Sequence, residues 1–285
     1  MVAVDRPSVT LPTVSNEPTM SAVSFRQMMM LEPHGPDTFI GSGPRYPWGG
    51  LYGGQIVAQA LRAAALTVEP TYLPHSLHGY FIRQGDASEP IRYEVDRVRN
   101  GRSFLTRRVV VRQAVGAILT MAASFHVPDE GADVQTEEMP PVDAASALVE
   151  DSWSNLFHRR SLRDDIAPGR VGAWLRMDED LGDDVILNAC ALAFLSDDLP
   201  TEAVVARHPL RPPRDSTQRT FWNASLDHAI WFRHPVAAHD WQLHDFTCRG
   251  LINSRGTSMG SVFDASGRHV ATVAQEVLIR PARNP

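Results

Sequence analysis

The sequence predicts an α+β protein in which a short buried helix and a curved antiparallel sheet occur together twice. Three observations lead to this prediction. Two short segments are apolar around nearly the whole circumference of a helix, each is followed by runs of alternating apolar and polar residues, and the two sets match in order along the chain. A helix that is apolar on all sides must be covered on most of them, so a sheet has to wrap around it.

The first unit is predicted over residues 21–130, after a Pro-, Ser- and Thr-containing segment at 1–20 that we expect to be a disordered tail. Its helix spans 53–68, where Gly53 and Gly54 interrupt the chain and good helix formers follow. Alternating residues then predict an antiparallel meander with a tight turn at Asn100-Gly101. The predicted strands are His75–Arg83, Ile91–Arg99, Phe104–Gln113 and Ile118–Val127.

The second unit is predicted over 166–285, after an acidic, Pro-containing linker at 131–165. Its helix spans Val185–Leu195, and its strands span Ala224–Arg233, Trp241–Arg249, Ser258–Asp264 and His269–Arg280. The two units match in sequence, because SLHGYFIRQG aligns with SLDHAIWFRHP and ILTMAASFHV with VATVAQEVLI. A buried helix wrapped by a curled sheet, present twice, describes a double hotdog fold.

Three polar residues interrupt the apolar pattern of the second unit. Gln275 shares a strand face with apolar residues, whereas Ala123 stands at the matching place in the first unit. Asp197 follows the second helix at its C-terminal end, where a carboxylate opposes the helix dipole, and Ser225 begins a strand. Each has an ordinary structural explanation, and for Asp198 we accept that it faces water. Together, an acid, a hydroxyl and an amide could orient a water molecule and accept its proton.

At these positions the sequence resembles the type II acyl-CoA thioesterases, a double-hotdog family. The resemblance runs from about residue 25 to 282, and its motifs are GGQ with the VAQAL helix at 53–61, HSLHGYFIRQGD at 75–86, ASFHVP at 123–128, SDDL at 196–199, SLDHAIWFRHP at 225–235 and VAQE at 273–276. It implies hydrolysis of acyl-CoA to a free fatty acid and CoA without a covalent enzyme intermediate and without a cofactor. The implied catalytic residues are Asp197, Ser225 and Gln275.

Two other functions remain open. Ser258 in GTSMG fits the G-x-S-x-G motif of serine hydrolases, but that motif needs a helix after the serine, and here a turn and another strand follow. A non-catalytic acyl-CoA-binding protein on the same scaffold is the second alternative, although a protein that only binds gains nothing from the polar trio. The eleven histidines lack metal-ligand spacing, so no metal site is predicted.

The composition and the lengths of the apolar runs argue against two classes of binding partner, nucleic acids and membranes. Acidic residues outnumber basic ones by 33 to 27, which argues against nucleic-acid binding, and no apolar run reaches the roughly 18 residues that a membrane span requires. Cys190 and Cys248 are too few for a disulfide framework, so we expect both to be reduced and buried. We therefore predict a cytoplasmic enzyme that acts on acyl-CoA without binding nucleic acid or membrane. The resemblance further implies a homo-oligomer.

Overall fold

The computed structural model describes residues 23–142, 148–162, 167–211 and 220–282, so the predicted tail at 1–20 lies outside the described residues. Within them the chain forms four helices and fourteen strands. In chain order these elements are α1 (Phe25–Met28), β1 (Glu32–Pro33), β2 (Thr38–Gly41), α2 (Gly53–Ala65), β3 (Leu73–Phe81), β4 (Ile91–Asn100), β5 (Phe104–Gln113), β6 (Gly116–His126), β7 (Leu148–Glu150), β8 (Phe157–Leu162), β9 (Arg170–Met177), α3 (Val185–Leu195), α4 (Pro200–Arg207), β10 (Phe221–Ser225), β11 (Asp227–Phe232), β12 (Gln242–Ile252), β13 (Arg255–Asp264) and β14 (His269–Pro281).

All described strands belong to one antiparallel sheet in the order β1-β2-β4-β5-β6-β3-β11-β14-β13-β12-β9-β8-β7, with β10 also paired to β14. The pair β3–β11 stands at the junction, where Gly79 lies opposite His228, and joins strands of the first half to strands of the second. This continuous sheet supports the predicted α+β class.

Two helices form the centre of the hydrophobic core, as their apolar circumference predicted. Almost every residue of α2 and α3 is buried, and the helices pack against each other. Tyr52, at the N-cap of α2, donates a hydrogen bond of 3.0 Å to the carbonyl of Phe194 near the end of α3. Asp184 caps α3 by accepting from the backbone N–H of Leu187 at 2.9 Å. The start of α2 therefore lies beside the end of α3.

The predicted linker at 131–165 is wrong in its second part, because β7 and β8 lie within it and pair with each other. Strand β9, which follows, was also not predicted, nor was α4 after the second buried helix. Strand β8 was not predicted because its buried positions include the polar residues Arg159 and Ser161. Its sequence therefore lacks the alternation of apolar and polar residues that is typical of a half-buried strand.

Two smaller differences concern a break in one strand and the width of one turn. The predicted strand Ala224–Arg233 is divided at Leu226, so β10 pairs with β14 whereas β11 lies between β14 and β3. The turn at Asn100-Gly101 is wider than two residues, because Asn100 lies opposite Leu105 in the ladder. The break at Leu226 separates Ser225, the last residue of β10, from the strand that carries His228.

Candidate active site

The three residues predicted to act together lie at one place, beyond the C-terminal end of α3. Asp197 follows the C-cap Ser196, Ser225 ends β10, and Gln275 points inward from β14. The side chains are well shielded, with Gln275 1% and Asp197 8% exposed. The Gln275 Nε2 atom donates a hydrogen bond of 2.8 Å to the Ser225 Oγ atom. The inward orientation of Gln275, predicted from strand alternation, is confirmed.

Burial raises the pKa of Asp197 to about 7, while the Gln275 amide, the backbone N–H of Gly54 and the Ser225 hydroxyl act in the opposite direction. These three groups lower the pKa because they favour the ionised carboxylate. The Oδ1 atom of Asp197 is buried and has no hydrogen-bond partner among the described residues. A carboxylate with this pKa and a free oxygen is suited to accept a proton at neutral pH.

The first half of the chain supplies one wall of the site, although all three predicted site residues lie in the second half. A Cβ atom placed on Gly53 would lie 2.6 Å from Asp197 Oδ2 and 3.0 Å from the Phe81 ring. Only a residue without a side chain therefore fits between the start of α2 and the carboxylate. The positive end of the α2 dipole also faces this negative charge. The paired glycines at 53 and 54 were the signal for this contact, but their sequence indicated only a helix start.

Asp198 does not face water, so that prediction is wrong. Its side chain is 6% exposed and forms an ion pair of 2.8 Å with Arg159, and it accepts a hydrogen bond of 2.6 Å from Trp153 Nε1. Burial raises the pKa of Asp198, whereas the Arg159 charge lowers it. Arg159 also pairs with Asp151 at 2.6 Å and with Glu202 at 2.5 Å. The ion pair of Asp198 could not be predicted from the sequence, because its partner Arg159 lies on strand β8, which was not predicted.

A fourth polar residue, His228, adjoins the trio and was missed. It is fully buried on β11, with its Nδ1 atom 2.5 Å from Gln275 Oε1 and its Nε2 atom 2.9 Å from Ser196 Oγ. Burial lowers the pKa of His228 to about 4. In the sequence, His228 is one of eleven histidines without metal-ligand spacing. Its position next to Asp227 and on the same strand face as apolar residues was the only available signal.

The alternative nucleophiles lack the required surroundings. Ser258 lies in the middle of strand β13 with no exposed surface, and within the described part of the chain its Oγ atom has no hydrogen-bond partner to act as a base. Strand, turn and strand surround it, which contradicts the nucleophile elbow. Cys190 is buried in α3, and burial raises the pKa of its thiol to about 12, far from the thiolate that a nucleophilic cysteine needs.

Neither a metal site nor a membrane span is found in the ranges that the structure describes. Over those residues, no group of three or more His, Cys, Asp or Glu side chains could hold a metal ion. The helices within the same ranges are too short or too polar to cross a bilayer.

Comparisons with known proteins identify the family of this chain. The profile of the acyl-CoA thioesterase N-terminal domain matches residues 43–126, and that of the acyl-CoA thioesterase C-terminal domain matches residues 125–279. Acyl-CoA thioesterase 2 of Haemophilus influenzae is 29% identical over 260 residues, which cover 81% of this chain and 87% of the relative. Acyl-coenzyme A thioesterase 8 of Mus musculus is 30% identical over 300 residues, covering 92% of this chain and 90% of the relative.

Solved structures give the same result. An acyl-CoA thioesterase II of Mycobacterium marinum superposes with a TM-score of 0.78 at 32% identity, covering 92% of this chain and 99% of that one. A protein of hot dog fold from Alicyclobacillus acidocaldarius superposes with a TM-score of 0.75 at 21% identity, covering 91% and 98%, and indicates the fold alone. The predicted hotdog class and the predicted resemblance are thus confirmed: this chain belongs to the acyl-CoA thioesterase family and is a thioester hydrolase.

Proposed function

We propose that this enzyme hydrolyses fatty acyl-CoA to a free fatty acid and CoA by direct attack of a water molecule, with Asp197 as the general base. The observation that carries the proposal is the buried Asp197 carboxylate with an unpaired Oδ1 atom, next to the hydrogen-bonded Gln275 and Ser225 side chains. A water bound there would find a proton acceptor and two groups that orient it.

The reaction needs no covalent enzyme intermediate. Asp197 accepts a proton from water as the water oxygen bonds to the thioester carbonyl carbon. The carbonyl electron pair moves onto oxygen, and the negative charge develops near the positive end of α2 at Gly53 and Gly54. When the carbonyl re-forms, the carbon–sulfur bond breaks and CoA leaves as a thiolate. A thiolate is a good leaving group, so a strong general acid is unnecessary.

The finer organisation of the chain stays a prediction. We propose a double hotdog with units at 21–130 and 166–285, in which β7 and β8 from the preceding segment extend the sheet of the second unit. One buried helix and one set of antiparallel strands on each side of the β3–β11 pair support this proposal. Assembly into a homo-oligomer and a cytoplasmic location also stay predictions, as does the absence of a cofactor.

The test is release of CoA thiol from acyl-CoA substrates of increasing chain length, measured with a thiol reagent. Ser225→Ala should lower kcat by about tenfold, since one hydrogen bond of about 1–1.5 kcal/mol is lost, and Ser225→Thr should retain activity. Ser76→Ala is the matched control, because Ser76 aligns with Ser225 in the first half. If the wild-type enzyme binds acyl-CoA but releases no thiol, the non-catalytic alternative is correct instead.

A further inference from the structure

The side chain of His228 connects the end of α3 to the predicted catalytic amide. Its imidazole lies on the inward face of β11 with no exposed surface. One ring nitrogen, Nδ1, is 2.5 Å from the Gln275 Oε1 atom, and the other, Nε2, is 2.9 Å from the Ser196 Oγ atom. Ser196, His228 and Gln275 therefore form a chain of buried hydrogen bonds that ends at the hydrolytic site.

The partners of this ring determine where its proton lies. Because burial lowers the pKa of His228 to about 4, the imidazole is neutral at pH 7 and has a single N–H donor. The Gln275 Oε1 atom can only accept, so Nδ1 must carry the hydrogen. The Ser196 Oγ atom lies 2.9 Å from Nε2 and 3.0 Å from the carbonyl oxygen of Ala193, so its one hydrogen is shared between these two acceptors. The contact with Gln275 is satisfied only in the tautomer that carries the hydrogen on Nδ1.

The His228 donor also determines which way the Gln275 amide faces. With Oε1 held by Nδ1–H, the Nε2 atom points to Ser225, to which it donates at 2.8 Å, and acts on the Asp197 carboxylate. If the amide were rotated end for end, its oxygen would face the carboxylate and its NH₂ group would face the Nδ1–H donor. Both contacts would then be repulsive, so His228 discriminates between two amide orientations of similar shape.

We propose that His228, supported by Ser196, is a positioning residue that holds the Gln275 amide with its N–H groups toward Ser225 and the attacking water. This inference rests on the proposed function. The corresponding place in the first half supports it, because Ala123 aligns with Gln275 and lies opposite Leu77 on the neighbouring strand β3. There the amide is absent and its neighbour on the adjacent strand is apolar.

The test compares two substitutions of His228. His228→Leu removes the donor while keeping an apolar side chain of similar size, and we expect kcat to fall on the order of 10- to 100-fold with KM for acyl-CoA unchanged. His228→Asn places an amide nitrogen near the position of Nδ1, so it should restore at least part of kcat. Ile230→Val, on the same buried face of β11, is the control for general disturbance of the strand and should leave kcat unchanged.

A double-mutant cycle separates positioning from a general structural role. If His228 acts through Gln275, His228→Leu should have no further effect on kcat in a Gln275→Ala background. An equal loss in both backgrounds would overturn the proposal, as would wild-type kcat in either Gln275→Ala or His228→Leu.

Nitrogen-15 NMR of histidine-labelled wild-type protein gives a test that needs no activity and no variant to fold. We expect His228 to be neutral with the proton on Nδ1 from pH 6 to pH 8. A proton on Nε2 would overturn the inference even in an active thioesterase. Failure of the wild-type enzyme to hydrolyse acyl-CoA would instead refute the proposed function.

Discussion

Replacing Asp197 with Asn should make the protein more stable at alkaline pH while it removes hydrolysis. The carboxyl group ionises near 3.8 without the influence of the fold and near 7 in the folded protein. The folded state therefore binds this proton more tightly than the unfolded state. As pH rises from about 4 to about 7, the carboxyl group loses its proton in the unfolded chain but keeps it in the folded protein, so the free energy of unfolding falls. Above pH 7 this loss of stability is constant.

The size of this penalty follows from the two pKa values. The pKa of this carboxyl group rises from 3.8 in the unfolded chain to about 7 in the folded protein. This shift corresponds to about 4 kcal/mol of stability, because each pKa unit is worth about 1.4 kcal/mol. Since Asn carries no charge, Asp197→Asn should raise the free energy of unfolding by up to about 4 kcal/mol at pH 8. The gain should shrink to about 2 kcal/mol at pH 5.5, where the wild-type carboxyl is already protonated in the folded state.

Urea unfolding of both proteins at pH 8 and pH 5.5 measures the gain, and thiol release measures activity. Activity should fall at least 100-fold, as expected for loss of a general base. In the wild type, kcat/KM should rise about tenfold from pH 6 to pH 8 as the base ionises. Asp37→Asn is the matched control: it should lose stability at pH 8, because the hydrogen bond and charge of Arg97 hold the pKa of Asp37 below its ordinary value. An Asp197→Asn variant that is less stable than wild type at pH 8, or that still hydrolyses acyl-CoA at the wild-type rate, would refute the assignment.

Three further substitutions test the surroundings of the site. Gly53→Ala should lower kcat at least tenfold, because the new methyl group would lie 2.6 Å from Asp197 Oδ2, whereas Gly131→Ala, which meets open space, should leave thiol release unchanged. Arg159→Leu should cost about 3–5 kcal/mol in urea unfolding at pH 8, because its buried carboxylate partners lose their counter-charge, and less at pH 5.5, where those with raised pKa values take up protons. Ser258→Ala should retain hydrolysis, and covalent labelling of Ser258 by a serine-directed phosphonate would contradict the direct-water mechanism.

Secondary structure was predictable where the local pattern was strong. The bounds of the helix Val185–Leu195 and the strand Phe104–Gln113 agree with the prediction, because apolar residues occupy whole turns of the helix and alternate residues of the strand. The pattern failed at β8, where Arg159 is buried through ion pairs with distant carboxylates. A strand that buries a charged residue has a polar sequence that is typical of a loop. The burial of Arg159 is explained only by the carboxylates that pair with it in the folded protein.

The members of the site were predictable to the extent that they disturb these patterns. Gln275 stood out as an amide among apolar residues, and Asp197 as an acid at the wrong end of a helix. His228 and Gly53 did not stand out, because a lone histidine in a strand and a glycine before a helix are ordinary. Their roles depend on atoms from other parts of the chain: the Gln275 amide for His228, and the Asp197 carboxylate for Gly53.

The sequence by itself determined the α+β class, the two buried helices, the resemblance to acyl-CoA thioesterases and the identity of the polar trio. These features follow from the order and periodicity of residues that are close together in the sequence. Only the tertiary structure decided that Asp198 is buried against Arg159, that the glycines of the first half border the carboxylate of the second, and that His228 bonds to the Gln275 amide. Such contacts arise when strands and helices far apart in sequence pack together, and the burial that accompanies this packing sets the pKa of Asp197.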